Sequence, residues 1–137
     1  MHYDYATILL KQYSSATNDA AAARSMRVLD RTILTAFPAE QRELVQQLLP
    51  GMTRRRLGGR FGVTRKLPTG EAVDFAVFLD RVRRDLSLTD AAEAEALVDA
   101  YMRAHLSLMT TSSRLHFASL CDGDMLRTYL RAVDANR

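Results

Sequence analysis

The stretch Asp74-Phe75-Ala76-Val77-Phe78-Leu79 repeats, 70 residues on, the pattern of Asp4-Tyr5-Ala6-Thr7-Ile8-Leu9. Three of the six positions are identical, and two more exchange one aromatic or apolar side chain for another. At an offset of 72 the pairing continues, with Met26 on Val98, Leu29 on Tyr101, Arg31 on Arg103, Leu34 on Leu106 and Phe37 on Met109. Val45 then falls on Phe117, Leu48 on Leu120 and Gly51 on Gly123, before a one-residue shift pairs Met52 with Met125 and Leu57 with Leu130. A fixed period of this kind is the mark of internal duplication, and it constrains the fold more than any single motif. It divides one domain, residues 1–137, into a first repeat at about 4–57, a linker at 58–73 and a second repeat at about 74–134.

Each repeat reads as helical. In the first helix, Tyr5, Ile8, Leu9 and Tyr13 follow the 3.6-residue period; its second copy, Asp74 to Leu86, carries Phe75, Phe78, Leu79, Val82 and Leu86. Asp4 and Asp74 stand where an N-cap accepts the unpaired backbone N–H groups of a first turn. The next pair of helices, Asp19 to about Phe37 and Ala91 to about Met109, follows the polar breaks at Thr17-Asn18 and Thr89-Asp90. The first is predicted to bury Met26, Leu29, Ile33 and Phe37, and the second Ala94, Leu97 or Val98, Tyr101, His105 and Met109. Asp90 with Glu93 has the form of a capping box.

Pro38 suits the start of a third helix, which carries Leu44, Val45, Leu48 and Leu49 and stops at Pro50-Gly51. The matching segment opens at Thr111-Ser112-Ser113, carries Leu115, Phe117, Ala118 and Leu120, and stops at Asp122-Gly123. A last helix, Asp124 to about Asp134, presents Met125, Leu126, Tyr129, Leu130 and Val133; its counterpart is only the short Met52 to Leu57. Gly58 to Val73 has no helical period, and the turn signal Pro68-Thr69-Gly70 leaves it open between a flexible linker and a short β-hairpin of Val63–Leu67 with Glu71–Val73. The expected fold class is all-α, a bundle of two tandem repeats of three to four helices, each too small to bury its own apolar stripe alone.

With Phe78-Leu79-Asp80-Arg81-Val82 opening one helix and Leu48-Leu49-Pro50-Gly51-Met52 closing another, the chain resembles the bacterial domain-of-unknown-function 2267 family over roughly residues 4 to 133. The resemblance implies two tandem all-helical repeats with a Phe-Leu-x-x-Val opening and a Leu-Pro ending. It implies no activity, cofactor or site residues.

Charge supplies the one candidate site. From Thr53 to Leu67 six cations, Arg54, Arg55, Arg56, Arg60, Arg65 and Lys66, meet no acid, whereas Asp74 to Asp99 holds seven acids against Arg81, Arg83 and Arg84. A net charge of +3 conceals this polarity. Guanidinium forks suit carboxylates and phosphates, so the segment is read either as a contact for a protein partner or for self-association, or as a nucleic-acid or polyanion contact, with Phe61 available for stacking. A third reading lays it across the acidic helices of the second repeat or leaves it as a solvated connection. A fourth places a ligand pocket between the repeats at Tyr101, His105 and neighbouring acids.

No catalytic set, cofactor motif or metal motif is read from the sequence. His2, His105 and His116 lack the spacing of a helical ligand pair, and His105 falls on an apolar stripe. Asp122 and Asp124 bracket Gly123, a pattern open to weak cation binding or to a turn and helix cap. The lone Cys121 has no disulfide partner within the chain and suits a small buried position. No apolar run approaches the ~20 residues that span a bilayer, and Met1-His2-Tyr3-Asp4 has neither the basic nor the apolar region of a signal peptide, so no membrane contact and a cytoplasmic location are expected.

Overall fold

Four short polar side chains start helices by taking over backbone donors that have no partner of their own. In a computed structural model that describes residues 4–57 and 71–137, Asp4 accepts from the Thr7 N–H at 2.9 Å, Asn18 from Ala21 at 2.8 Å, Asp90 from Glu93 at 2.9 Å and Thr110 from Ser113 at 3.1 Å. The helices they open are α1 (Tyr5–Tyr13), α2 (Asp19–Ile33), α6 (Ala91–Leu108) and α7 (Thr111–Leu120). Between and after them run α3 (Ala39–Leu48), α4 (Met52–Leu57), α5 (Phe75–Asp85) and α8 (Gly123–Ala135). The described residues are all-helical, with no strand among them. Glu93 Oε2 closes the expected capping box on the Thr89 N–H at 2.7 Å.

One continuous core draws on every described α-helix, from Leu10 and Met26 through Val45, Met52, Phe78, Val82 and Tyr101 to Phe117, Met125 and Tyr129. The long helices α2 and α6 pack on each other, and each of the short helices α1 and α5 packs on both. Helix α4 lies against α2, α8 lies against α6, and α3 meets α7. The contacts of α1, α2 and α4 thus have counterparts in those of α5, α6 and α8, whereas α3 packs more closely on α4 than α7 does on α8.

Local details recur at the same offset. The Nε of Arg42 donates to the Leu34 carbonyl at 2.9 Å, and 72 residues later the Nε of Arg114 donates to the Leu106 carbonyl, also at 2.9 Å. Ser14 and Leu86 end the first helices, Leu49 and Cys121 end the third, and Gly51 and Gly123 both take positive φ. The buried positions of α1, Ala6 and Leu10, match Phe78 and Val82 of α5 at 72, although the sequence likeness of these two helices runs at 70.

That register corrects the first apolar stripe. Tyr5 and Ile8 are 76% and 44% exposed, and α1 instead turns Ala6, Thr7 and Leu10 inward, because the small Ala6 side chain lets the helix come close to its neighbours. Leu115 and Leu130, expected inside, are also exposed. In the long helices the stripes stand as read: Met26, Leu29, Ile33 and Phe37, and Ala94, Val98, Tyr101, His105 and Met109, are all buried. Helix α2 ends four residues early, tightening into a 3₁₀ turn at Leu34–Ala36, because Phe37 precedes Pro38 and is held extended at φ −118° and ψ 148°. Residues 58–70 of the expected linker and hairpin lie outside the described residues. Glu71–Val73 are described and form no strand; the Val73 N–H donates instead to the Thr35 carbonyl at 2.9 Å.

Candidate functional site: a basic segment rooted in a buried ionic cluster

Helix α4 separates two neighbouring arginines that look alike in sequence. Successive residues of a helix point about 100° apart, so Arg54 is exposed while Arg55 turns under the helix, its side chain 11% exposed. Helix α4 runs on through Arg56, and Arg60, Arg65 and Lys66 lie outside the described residues.

Arg55 enters a cluster that joins four segments of the chain. Its Nε donates to Asp30 Oδ2 at 2.5 Å and its Nη2 to Asp30 Oδ1 at 3.2 Å, a forked pair, while its Nη1 binds Asp4 Oδ2 ahead of α1. Tyr101 of α6 donates its hydroxyl to Asp30 Oδ1 at 2.7 Å. One turn further on, His105 Nε2 stands 3.5 Å from both Asp30 Oδ1 and Arg55 Nη2, and the two rings meet edge to face with centroids 4.5 Å apart. Tyr101 and His105 are 0% exposed and Asp30 is 1% exposed.

Burial opposes every charge in this cluster, and pairing decides which survive. For Asp30 burial favours the neutral acid, but the bonds from His105 and Arg55 outweigh it and hold the carboxyl below its usual range. Asp4 is lowered too: its partial burial is outweighed by the Thr7 N–H and Arg55. For Arg55 burial is again overcome, by Asp30 and Asp4, and the guanidinium is held more firmly charged than usual. Only His105 yields to burial. Its pKa falls despite the nearby Asp30, which keeps the ring neutral, and its Nδ1 has no hydrogen-bond partner among the described residues.

The cluster is therefore a sealed ionic joint. Tyr101, His105 and a neighbouring acid do come together, as in the pocket reading, and both aromatic side chains are fully buried. Asp30 is the residue that reading missed. Its signal was in the sequence: an acid beside Leu29, between Met26 and Ile33, on the buried stripe of α2. Seventy-two residues on, the position that pairs with it is Met102, also buried.

The remaining candidates resolve into local structure. Several acids of the 74–99 stretch are already paired: Asp80 with Arg83 and Arg84, and Asp99 and Glu95 with Arg131. Asp124 binds Arg127, and Asp122 is the N-cap residue of α8. Cys121 ends α7 and gives its thiol hydrogen to the Phe117 carbonyl at 3.3 Å, and burial pushes its pKa up to about 12, so it is a poor nucleophile. Among the described residues no three His, Cys, Asp or Glu side chains converge to hold a metal, and no helix is long and apolar enough to cross a membrane.

Compared with protein-family models, with curated proteins and with solved structures, the chain has no match.

Proposed function

We propose that the chain is two copies of one four-helix unit closed around a shared core, and that it works as a non-enzymatic binding module. Its contact with the acidic surface of a partner protein runs through Arg54, Arg56 and the basic residues that follow α4. The family resemblance belongs to the same reading, since it implies tandem helical repeats.

The observation that carries the proposal is the division of labour within α4. Arg55 is spent inside, on Asp30 and Asp4, and ties the base of the segment to α2 and to the head of α1, while Arg54 beside it stays at the surface. Because Arg55 fixes α4 in place, Arg54 is presented from a defined root, which favours carboxylate recognition over diffuse charge. The chemically rich groups, Asp30, Tyr101 and His105, are closed to a substrate by the same packing. That arrangement supports recognition at the surface rather than turnover in the interior.

Reversing charge at Arg54 and Arg56 together, with Arg55 left in place, is the test. The tagged parental chain is expected to co-purify an acidic protein at near-physiological salt. The Arg54→Glu/Arg56→Glu variant is expected to lose it by at least about tenfold, as when a few charge-assisted bonds are removed, with an unchanged thermal melt. Unchanged co-purification contradicts the proposal. Loss of the partner on nuclease treatment of the parental sample contradicts it as well, and moves the segment to nucleic-acid binding, whose affinity falls steeply with salt.

A further inference from the structure

Away from the basic segment, a groove of about 320 Å³ runs between α6 and α8 and is closed at one side by Tyr13 at the end of α1. Its floor is alanine, including Ala100 and Ala132, so a ligand can lie close to both helix backbones. Its rim carries two arginines, and they are in different states.

Arg131 of α8 is already balanced, with Nη2 3.0 Å from Asp99 and 3.5 Å from Glu95. Arg103 of α6 is not. Its guanidinium carbon sits 4.0 Å above the centre of the Tyr13 ring, and its Nε donates to Asn136 Oδ1 at 2.8 Å. Asn136 is fixed in turn, its Nδ2 donating to the Arg103 carbonyl and to Ser107 Oγ, each at 3.1 Å. The Tyr13 hydroxyl completes the ring of contacts at 3.4 Å from Ser107 Oγ. One aromatic face and one amide thus orient the guanidinium, and its two terminal nitrogens have no ion-pair or hydrogen-bond partner among the described residues.

We propose that this groove binds a small organic monocarboxylate with an apolar body. The carboxylate takes the free fork of Arg103, and the body lies on the alanine floor against Tyr13. The class follows from the fork: Arg131 is held by Asp99 and Glu95, whereas Arg103 is oriented by Tyr13 and Asn136 with both terminal nitrogens unpaired, which suits one carboxylate. It follows also from size, since the volume is at the lower end of the roughly 300–1,000 Å³ of small-molecule sites. An arginine held in place before the ligand arrives loses little side-chain freedom on binding.

Titration of the ¹⁵N-labelled protein with sodium benzoate and sodium octanoate, beside benzamide and octanamide, tests the site. Saturable shifts are expected at the amides of Ala96, Ala100, Arg103 and Ala132, with each amide analogue at least about tenfold weaker than its acid because it cannot form the ionic fork. Arg103→Gln is expected to abolish the response to the acids. Ala96→Leu, a change at an exposed groove position that leaves Arg103 untouched, is expected to weaken both acids by filling the floor. No saturable shift with either acid up to about 10 mM, the edge of useful affinity, overturns the proposal. So does an equal response to the amides, or binding that survives in Arg103→Gln.

Discussion

Asp30→Ala is expected to lower the free energy of unfolding by about 3–5 kcal/mol, the cost of breaking a buried ion pair from one side. The carboxylate is the shared acceptor of the cluster: Arg55 reaches it through two nitrogens, Tyr101 through its hydroxyl, and His105 stands 3.5 Å away. Removing it opens a cavity and takes from Arg55 its forked partner and from the Tyr101 hydroxyl its 2.7 Å acceptor, while the half-buried Asp4 still holds Arg55. Against a typical total of about 5–15 kcal/mol, that loss is large enough to read directly from urea denaturation. A cost below about 1 kcal/mol, the range of an exposed pair, contradicts the account of a sealed joint. The same groups make acid destabilising in the parental protein. The lowered His105 contributes stability that is present above its ordinary 6.5 and lost as pH falls toward its folded value, and Asp30 and Asp4 repeat this below 3.8.

Gly51→Ala is expected to cost about 2–4 kcal/mol, and Gly123→Ala only about 1, although the two glycines follow α3 and α7 at the same distance and both take positive φ. Both have positive φ, +74° and +46°, where an L side chain is strained by roughly 1–2 kcal/mol. The difference lies in what a Cβ would meet. At Gly51 it would stand 2.5 Å from Arg55 Nη1 and 2.9 Å from Asp4 Oδ2, the two atoms that pair across the turn, whereas at Gly123 nothing lies within 4 Å. An arginine tip usually moves aside at little cost. This one is pinned on its other side by Asp30, so the methyl group must open the Asp4 pair or push the guanidinium out of its fork. Denaturation of the two single variants side by side measures the difference. Equal losses would show that φ strain alone governs both turns and that the Asp4–Arg55 contact adds nothing.

How much of this was legible in the sequence depends on which physical signal each element leaves. Helices α2 and α6 were readable because Met26, Leu29 and Ile33, and Val98, Tyr101 and His105, are large side chains at helical spacing, and because Asn18 and Asp90 mark their starts. Helix α1 was misread because its buried face begins at Ala6. Alanine carries little hydrophobic weight, so Tyr5 and Ile8 dominated a stripe that in fact faces outward. The likeness of Asp4-Tyr5-Ala6 to Asp74-Phe75-Ala76 suggests an offset of 70, two residues from the 72 at which the buried positions of α1 and α5 correspond.

The basic segment shows a different limit. Counting charge from Arg54 to Lys66 cannot tell which arginine turns inward, because that depends on the phase of a six-residue helix and on an aspartate 25 residues away. Asp30 was visible as an acid on an apolar stripe, and an acid there calls for a buried cation. Nothing in the spacing of the chain says that the cation is Arg55. The likeness of Arg42 to Arg114, each closing on the carbonyl of an equivalent leucine, was also hidden, since arginines on polar faces carry no periodic signal.

The central claim is that the two halves are copies whose positions correspond, and that the ionic joint is an elaboration of one copy only. Its most direct test is to replace the joint by the residues that stand in the equivalent places: Asp30→Met, Arg55→Thr, Tyr101→Leu and His105→Ile, taken from Met102, Thr128, Leu29 and Ile33, all of them buried. Exchange of a buried ionic set for well-packed apolar residues is often neutral or stabilising by about 1–4 kcal/mol, and Asp4, the one member left, is partly exposed and keeps its bond from the Thr7 N–H. The fourfold variant is therefore predicted to unfold cooperatively in urea within about 2 kcal/mol of the parental chain or above it. A variant that fails to fold, or that loses as much as Asp30→Ala alone, contradicts the correspondence of the two halves.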